Sequence, residues 1–256
     1  MNLMRLLETA QVNNGCEIWA VIPAAGIGKR MQSDIPKQYL MLIDRPVIEH
    51  TIDRLLAVDQ VKGIVVSIRA DDPHWPDVQI KSDKPVLVAA GGKERCHSVM
   101  NALDVLSKQP GYKPETTWAL VHDAVRPCVS VSDIQNLINT AAGTESGGLL
   151  AMPVRDTMKR QDDHQRVKHT VDRTGLWHAL TPQLFACEQL SSALESALAE
   201  GFLVTDESSA MEHAGHHPGL VRGGEDNIKI TRPADLRLAE LYLKSLSEMP
   251  GTGECI

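Results

Sequence analysis

The sequence has no long apolar run, no paired cysteine motif and no signal-like start. None of its apolar stretches approaches the roughly 20 residues of a membrane-spanning helix, so we expect no membrane association. Its five cysteines are dispersed, without a Cys-x-x-Cys pair, which favours reduced thiols and a cytoplasmic protein. Residues 1–16 lack the apolar core of a signal peptide and are predicted to form a polar leader, frayed or disordered.

The chain also lacks an excess of positive charge. Its formal net charge is −7, which argues against a protein that binds nucleic acid regardless of sequence. The 256 residues are 43% hydrophobic and 23% charged, which is ordinary for a globular protein with a real core. A cluster of cations in a single loop of such an acidic chain is therefore unexpected.

Short β-branched runs alternate with amphipathic helical patterns along the chain. Strands are predicted at residues 18–22, 64–68, 86–89, 118–122 and 149–152. Helices are predicted at residues 46–58, 94–106 and 133–142, and from Pro233 onwards. This alternation is typical of an α/β protein with a Rossmann-like, doubly wound, mostly parallel sheet. We expect one domain over residues 17–248 and a C-terminal tail over residues 249–256.

Residues 153–173 interrupt the alternation with a polar segment whose centre is charged. Val167, His169 and Val171 alternate with polar residues, as do Val154 and Asp156 before the charged centre. This pattern predicts a protruding β-hairpin arm with a polar tip. Because an isolated hairpin is only marginally stable in water, we expect it to pack against a second copy in a homodimer.

The stretch "AVIPAAGIGKRMQSDIPKQYL", residues 20–40, follows the first predicted strand. Pro23 has no N–H, whereas residues 24–28 offer five successive N–H groups behind small side chains. Lys29, Arg30 and Lys37 add positive charge. At the carboxyl end of a strand, this combination favours a cradle for a polyphosphate. The alternative interpretation is a tight strand–helix turn with a solvated basic edge.

Two common phosphate-binding motifs do not account for this loop. A Walker A motif would need Ser or Thr at Arg30. A dinucleotide fingerprint would need Gly at Met31 and a helix directly after it, but the next helical pattern begins only near Pro46. A long cationic excursion suits a triphosphate under attack better than a dinucleotide.

Together, several motifs of this chain resemble the cytidylyltransferases that act on sugar-alcohol phosphates. The matching segments, over residues 18 to about 245, are "PAAGIGKRM", "PKQYL", "GGKERCHSV" at Gly91, "VHDAVRP" at Val121, "PVRDTMKR" at Pro153, "HTVDRTGLWHALTPQ" at His169, "TDESSAMEH" at Thr205 and "DNIKITRPADL" at Asp226. The resemblance implies that CMP passes from CTP to a polyol phosphate, with release of pyrophosphate and with Mg2+ or another divalent cation. The nucleophile is then a phosphate whose second pKa is about 6, so no general base is required.

The resemblance also implies roles for individual residues. Arg30 and Lys37 would stabilise charge on the α-phosphate and the departing pyrophosphate, and Arg173 and Lys229 would hold the acceptor phosphate. The implied CTP-binding residues are Pro23, Ala24, Ala25, Gly26, Gly28, Gly92, Lys93, Ser98, Asp123 and Ala124. The implied substrate-binding residues are Thr157, Arg173, Thr181, Thr205, Arg126 and Lys229. Asp123 is the candidate metal ligand, although the triphosphate itself would hold most of the Mg2+.

Some features leave alternatives open. Lys93 stands where members of the family often carry an acidic residue, and we expect its backbone to matter more than its side chain. The acceptor is expected to be 2-C-methyl-D-erythritol 4-phosphate, the alternatives being ribitol 5-phosphate or a catalytically silent CTP-binding homologue. The histidines at 213, 216 and 217 are interpreted as a surface turn, and His122 as a hydrogen-bonded core residue. Asp206 and Glu207 are expected to open a helix.

Overall fold

The computed structural model describes residues 15–26, 31 and 34–248. The strands in this part are β1 (Glu17–Pro23), β2 (Met41–Leu42), β3 (Arg45–Pro46), β4 (Val61–Ile68), β5 (Val86–Ala90), β6 (Thr117–Val121), β7 (Gly148–Pro153), β8 (Met158–Gln161), β9 (Val167–Val171), β10 (Trp177–Ala186) and β11 (Gly219–Arg222). The helices are α1 (Val47–Leu56), α2 (Arg95–Ser107), α3 (Val131–Ala141), α4 (Cys187–Ala199), α5 (Glu207–His213) and α6 (Pro233–Glu248). Single 3-10 turns cover Lys37–Tyr39 and Trp75–Asp77.

A seven-stranded sheet has the order β11–β7–β10–β6–β1–β4–β5. Strand β10 is antiparallel to β6 and β7, and the other neighbouring strands of the sheet are parallel. The predicted mostly parallel α/β sheet is therefore confirmed. The carboxyl ends of β1, β4, β5 and β6 meet at one edge, which is where such sheets bind ligands.

Helices cover both faces of the sheet because side chains of a buried strand alternate between two apolar layers. In β1, Ile18, Ala20 and Ile22 pack in one core with helices α1 and α3. Val21 points to the other core, which contains α2, α4 and α5. Ile48 and Leu55 of α1 are fully buried, as the periodicity of that segment predicts.

The longer elements that were not predicted are β10, β11 and α4, and the two-residue strands β2 and β3 were not predicted either. Strand β10, "WHALTPQLFA", carries Pro182 and few β-branched residues, and its pairing with β7 shifts register between Ala179 and Gln183. Proline cannot donate to a ladder and weakens a strand pattern in the sequence. Here β10 is held in the sheet by pairing with β6 and β7, and its side chains Leu184 and Phe185 are buried in the two apolar cores.

The predicted arm is a two-stranded hairpin of β8 and β9 that leaves the sheet between β7 and β10. Pro153 pairs with Trp177 at its base, on the same edge as the carboxyl ends of the parallel strands. The return strand lies over 167–171 as predicted, but the outgoing strand begins at Met158, so the prediction of a strand at 154–156 was wrong. The hairpin side chains are largely exposed.

The lengths of the helices and the limits of the described residues bear on two further predictions, the one on membranes and the one on the chain ends. Within the described residues, no helix is long and apolar enough to cross a bilayer. Of the leader predicted over residues 1–16, residues 1–14 lie outside the described residues, as does the tail predicted over residues 249–256, so the domain boundaries drawn from the sequence stay predictions.

Candidate active site

A pocket of about 380 Å³ opens at the carboxyl edge of β1 and β6. It gathers side chains from the loop after β1, the turn at Lys37, the start of α2, the end of β6 and the loop before α6. The lining residues that were predicted are Pro23, Ala24, Ala25, Gly26, Lys37, Gly92, Lys93, Ser98, Asp123, Ala124 and Lys229. The lining residues that were not predicted are Gln38, Glu94, Arg95 and Val125. Segments far apart in sequence therefore converge on one cationic pocket.

The loop after β1 presents bare backbone to the pocket. Its carbonyls at Ala24 and Gly26 both accept from Gln38 Nε2, at 2.6 and 3.1 Å. The N–H of Ala24 donates to Ser67 O at 2.8 Å, so the expectation that Ala24 offers its N–H to a ligand was wrong. Within the described part of the chain, the N–H groups of Ala25 and Gly26 have no acceptor.

The start of α2 is held against this loop by close backbone packing. A Cβ at Gly91 would lie 2.2 Å from Ala25 Cβ, and one at Gly92 would lie 2.2 Å from His97 Cβ. Only glycine therefore fits at either position without a shift of its neighbour. Ser98 Oγ accepts from the Gly92 N–H at 3.0 Å, which fixes the shape of this wall of the pocket.

Asp123, at the end of β6, is bonded to three cations. Its Oδ1 accepts from Arg95 Nε at 3.0 Å, and its Oδ2 accepts from Lys229 Nζ at 2.9 Å and from Arg126 Nε at 3.2 Å. Burial alone would raise the pKa of Asp123, but Arg95, Lys229 and Arg126 together hold that pKa well below its usual range. Asp123 is therefore ionised throughout the neutral range.

Arg95 links Asp123 to a second buried carboxylate. Its guanidinium donates to Glu207 Oε1 at 2.6 Å and to Oε2 at 3.0 Å, and Glu207 is 0% exposed. Burial would lower the pKa of Arg95, but the carboxylates of Glu207 and Asp123 outweigh it and raise that pKa. Two fork-like bonds fix the guanidinium where it faces the pocket.

Glu207 itself is placed by the start of α5. Asp206 caps this helix by accepting from the Ser209 N–H at 2.9 Å, and Ser209 bonds back to the backbone at the cap. Gln183 of β10 adds two bonds, to Asp206 Oδ2 and from the Ser208 N–H. The prediction that Asp206 and Glu207 open a helix is confirmed.

His122 lies beneath Asp123 and is fully buried, as predicted. Its Nε2 is 3.1 Å from Arg126 O, and its Nδ1 is 3.0 Å from Thr181 Oγ1. Because a carbonyl only accepts, Nε2 carries the proton and Nδ1 accepts from the Thr181 hydroxyl, which in turn accepts from the Asp123 N–H at 3.1 Å. Burial lowers the pKa of His122 to about 4, so it stays neutral near pH 7.

Other predicted residues lie away from the lining of the pocket. Arg126 and Thr181 are buried behind Asp123, where they support it. Thr157 and Arg173 are exposed on the arm, and Thr205 is exposed just before α5. Gly28, Lys29 and Arg30 lie outside the described residues, so the roles assigned to them stay predictions. The substrate contacts expected of the described site residues also stay predictions.

The described residues offer a poor protein-only site for Mg2+. Both oxygens of Asp123 already accept from cationic side chains, and a divalent ion beside them would meet three positive charges. Glu94, Cys96 and His97 are the one described group that brings three metal-ligating side chains together. Its thiol is a soft ligand, whereas Mg2+ prefers oxygen.

Sequence reasoning missed the site residues Gln38 and Arg95, and it missed the pairing of Glu207 with Arg95. All three lie inside the motifs that carried the resemblance, "PKQYL", "GGKERCHSV" and "TDESSAMEH". The signal that could have found Arg95 and Glu207 is a buried pair of opposite charges. It was hidden because the two residues are 112 positions apart.

Comparison with known proteins agrees with the geometry. Residues 18–245 match the family model described as 2-C-methyl-D-erythritol 4-phosphate cytidylyltransferase. The enzyme of that name from Vibrio vulnificus (strain YJ016) is 52% identical over 224 residues, 88% of this chain and 93% of the relative. The solved Francisella tularensis enzyme of that name matches with a TM-score of 0.75 at 34% identity, covering 88% of this chain and 99% of its own. A solved 4-diphosphocytidyl-2C-methyl-D-erythritol synthase matches with a TM-score of 0.77 at 34% identity, covering 89% and 99%.

Proposed function

Because the chain belongs to the 2-C-methyl-D-erythritol 4-phosphate cytidylyltransferase family, it transfers CMP from CTP to 2-C-methyl-D-erythritol 4-phosphate in isoprenoid biosynthesis, and we propose that the pocket around Asp123 is where this transfer takes place. The products are 4-diphosphocytidyl-2-C-methyl-D-erythritol and pyrophosphate. The observation that carries the site assignment is the convergence of Lys37, Arg95 and Lys229 on bare backbone at residues 24–26, at the carboxyl edge of the sheet.

In the proposed mechanism, this pocket brings two polyanions together. An oxygen of the acceptor phosphate attacks the α-phosphorus of CTP, the bond from that phosphorus to the bridging oxygen breaks, and pyrophosphate leaves with the electron pair. Since the nucleophile is largely dianionic at neutral pH, positioning and charge stabilisation supply the catalysis. Lys37, together with Arg30 as the sequence predicts, stabilises the charge that develops on the α- and β-phosphates.

Lys229 is proposed to hold the acceptor phosphate. Its Nζ donates to Asp123 Oδ2 at 2.9 Å while its side chain stays 37% exposed. An ammonium group has three protons, so donors remain for a phosphate oxygen. Asp123 fixes the direction of this side chain, and Arg95 is kept beside it by Glu207.

The cytosine is proposed to bind against the wall formed by residues 91–98. The backbone packing of Gly91 on Ala25 and of Gly92 on His97 makes that wall narrow and rigid. Lys93 is exposed there and lines the pocket. A pyrimidine has a small edge that backbone groups can read, whereas a purine is larger.

Mg2+ is proposed to arrive on the triphosphate of CTP rather than in a site built by the protein. The phosphate oxygens are ligands that Mg2+ prefers, and they leave it most of its water. When bound, the ion neutralises part of the charge on the triphosphate. Lys37, Arg95 and Lys229 would supply further positive charge to the phosphate oxygens.

The arm is proposed to complete the site in a homodimer. Thr157 and Arg173 are exposed on the arm and away from the pocket of their own chain, although the resemblance places both at the acceptor. Docking of the arm on a second copy would bring these side chains to the partner's acceptor phosphate.

A protein of this kind is expected in the cytoplasm.

Release of pyrophosphate tests the proposed function directly. The protein is incubated with CTP, Mg2+ and either 2-C-methyl-D-erythritol 4-phosphate or ribitol 5-phosphate. We expect turnover with the first acceptor and much less with the second. Preference for ribitol 5-phosphate would contradict the acceptor, and CTP binding without pyrophosphate release from either would indicate a silent homologue.

A further inference from the structure

Gln38 joins two parts of the pocket that are separate in the sequence. Its side chain is 3% exposed, and its amide Nε2 donates to the carbonyls of Ala24 and Gly26. Its neighbour Lys37 lines the pocket, as do Ala24 and Gly26. One buried amide therefore ties the turn that carries Lys37 to the backbone loop after β1.

The two bonds also set the direction of the loop's donors. In a trans peptide unit the C=O and N–H groups point in opposite directions. Because the carbonyl of Ala24 accepts from Gln38, the N–H of Ala25 points away from Gln38. None of the described residues accepts from that N–H, so it remains available to an anionic ligand.

The turn that carries Gln38 is fixed from its other side as well. Tyr39 is buried in the core, and its hydroxyl donates to Asp72 Oδ2 at 2.9 Å. The Tyr39 N–H donates to Pro36 O at 2.9 Å, which closes the turn. Lys37 thus precedes two residues whose side chains are both held by hydrogen bonds. Of these two, Gln38 is the one that contacts the loop at residues 24–26.

We propose that Gln38 is a positioning residue for CMP transfer, whose amide holds the 24–26 loop and Lys37 in register so that backbone N–H groups and the ammonium meet the same triphosphate. The inference rests on the proposed function of this pocket. A glutamine is suited to the task because its NH2 group has two protons and can serve two carbonyls at once. A carboxylate of the same shape cannot donate while ionised.

Two variants separate hydrogen bonding from packing. Gln38→Glu keeps the shape but replaces the donor, and Gln38→Met keeps the length without any polar group. Gln60→Glu is the matched control, because Gln60 makes an exposed hydrogen bond to Asn139 away from the pocket. For each protein that retains a native near-UV circular dichroism spectrum, kcat and both KM values are measured by pyrophosphate release.

In both Gln38 variants we expect kcat to fall by roughly 10–100-fold, since a misplacement of about 1 Å can cost 100-fold. The KM for the acceptor should stay within about 2-fold, because the loop faces the triphosphate. Gln60→Glu should match the unaltered protein. If both Gln38 variants keep kcat within about 3-fold while natively folded, the proposal is wrong.

The pH dependence of Gln38→Glu gives a readout that a packing role would not move. Burial against two carbonyls should raise the pKa of the new carboxyl, so it regains a proton and one donor as the pH falls from about 8 to about 6. Its kcat relative to the unaltered protein should then rise, while the same ratio for Gln38→Met stays flat. A flat ratio for both variants would overturn the proposal.

Lys37→Ala, measured in parallel, distinguishes this inference from the proposed function. If Lys37→Ala retains normal kcat, the assignment of the pocket itself fails. If Lys37→Ala loses kcat and the Gln38 variants do not, only the positioning role of Gln38 fails.

Discussion

Arg95 and Glu207 form a two-bonded ion pair, at 2.6 and 3.0 Å, across 112 positions of the sequence. The carboxylate of Glu207 is fully buried, whereas the Arg95 side chain is 27% exposed towards the pocket. Glu207 therefore neutralises a cation that also donates to Asp123. This arrangement leaves one carboxylate oxygen of Asp123 for Lys229 and Arg126.

Glu207→Gln should destabilise the protein, because it leaves the charge of Arg95 uncompensated on its buried side. Breaking a buried pair from one side costs about 3 kcal/mol or more of unfolding free energy. Urea unfolding would measure this loss. Glu212→Gln, on the exposed side of the same helix, should change the unfolding free energy by about 0.5 kcal/mol or less. Equal stability of the two variants would show that the Arg95 pair does not anchor α5.

Lys37→Ala should lower kcat by roughly 100- to 1,000-fold, the usual effect of removing one preorganised charge stabiliser. The same loss is expected for Arg30→Ala, from the sequence alone. Lys62→Ala is the control, because Lys62 is exposed near the amino end of β4, at the opposite edge of the sheet. Steady-state kinetics with CTP and the acceptor gives the answer, and normal kcat in Lys37→Ala would remove Lys37 from the proposed mechanism.

The nucleotide preference should follow from the narrow wall at Gly91 and Gly92. A pocket closed by backbone packed on Ala25 and His97 should accept a pyrimidine and reject a purine, so kcat/KM for CTP should exceed that for ATP or GTP by roughly 100-fold or more. Pyrophosphate release with each nucleotide measures the ratio. Comparable turnover of ATP would contradict the cytosine assignment while leaving the phosphate-binding loop intact.

The buried His122 should make the protein acid-sensitive. Its pKa falls from 6.5 to about 4 on folding, so between these values the unfolded state binds more protons. The contribution of His122 to the unfolding free energy is therefore fully present above about pH 6.5 and is lost as the pH falls. The unfolding free energy should decrease by about 2 kcal/mol between about pH 7.5 and pH 5. Urea unfolding at both pH values measures the difference.

His122→Gln should remove most of that pH dependence, because glutamine cannot gain the proton and can still donate to Arg126 O. His164→Gln, at the exposed tip of the arm, is the control and should keep the dependence. If His122→Gln loses as much stability on acidification as the unaltered protein, another group is responsible.

The homodimer with shared sites can be tested by mixing inactive chains. Lys37→Ala and Arg173→Ala should each be nearly inactive alone. In a mixed dimer, one of the two sites combines an intact Lys37 with the partner's intact Arg173. Activity should therefore return to at most about half of that of the unaltered dimer. Isolated mixed dimers are assayed for pyrophosphate release.

The control for that experiment mixes Lys37→Ala with Lys229→Ala. Both lysines line the same pocket, so no site in this mixed dimer is complete and activity should stay low. Recovery in both mixtures, or in neither, would contradict the exchange of arms between subunits.

Local regularity made much of the fold predictable. The β-branched run at residues 64–68 and the apolar stripe of α1 bury themselves whatever their partners, so the sequence predicts both. Strand β10 is different, because Pro182 and its polar residues hide a strand that is stabilised by pairing with β6 and β7. The predicted outgoing strand of the arm was displaced to Met158 for a related reason: pairing with Val171 sets the register, and alternation alone does not.

The sequence by itself determined which residue types stand in each motif, and hence the prediction of a phosphate-binding loop and of Lys37, Asp123 and Lys229 as site residues. Only the tertiary structure decided which of them meet. Gln38 folds back on Ala24 and Gly26 within the connection that follows β1. Arg95 reaches Glu207 because the chain returns, after β10 and α4, to the edge of the sheet where the parallel strands end. Hydrogen bonds and ion pairs form only between atoms a few ångströms apart. The number of residues between two side chains does not give their distance in space, because the pairing of strands sets that distance.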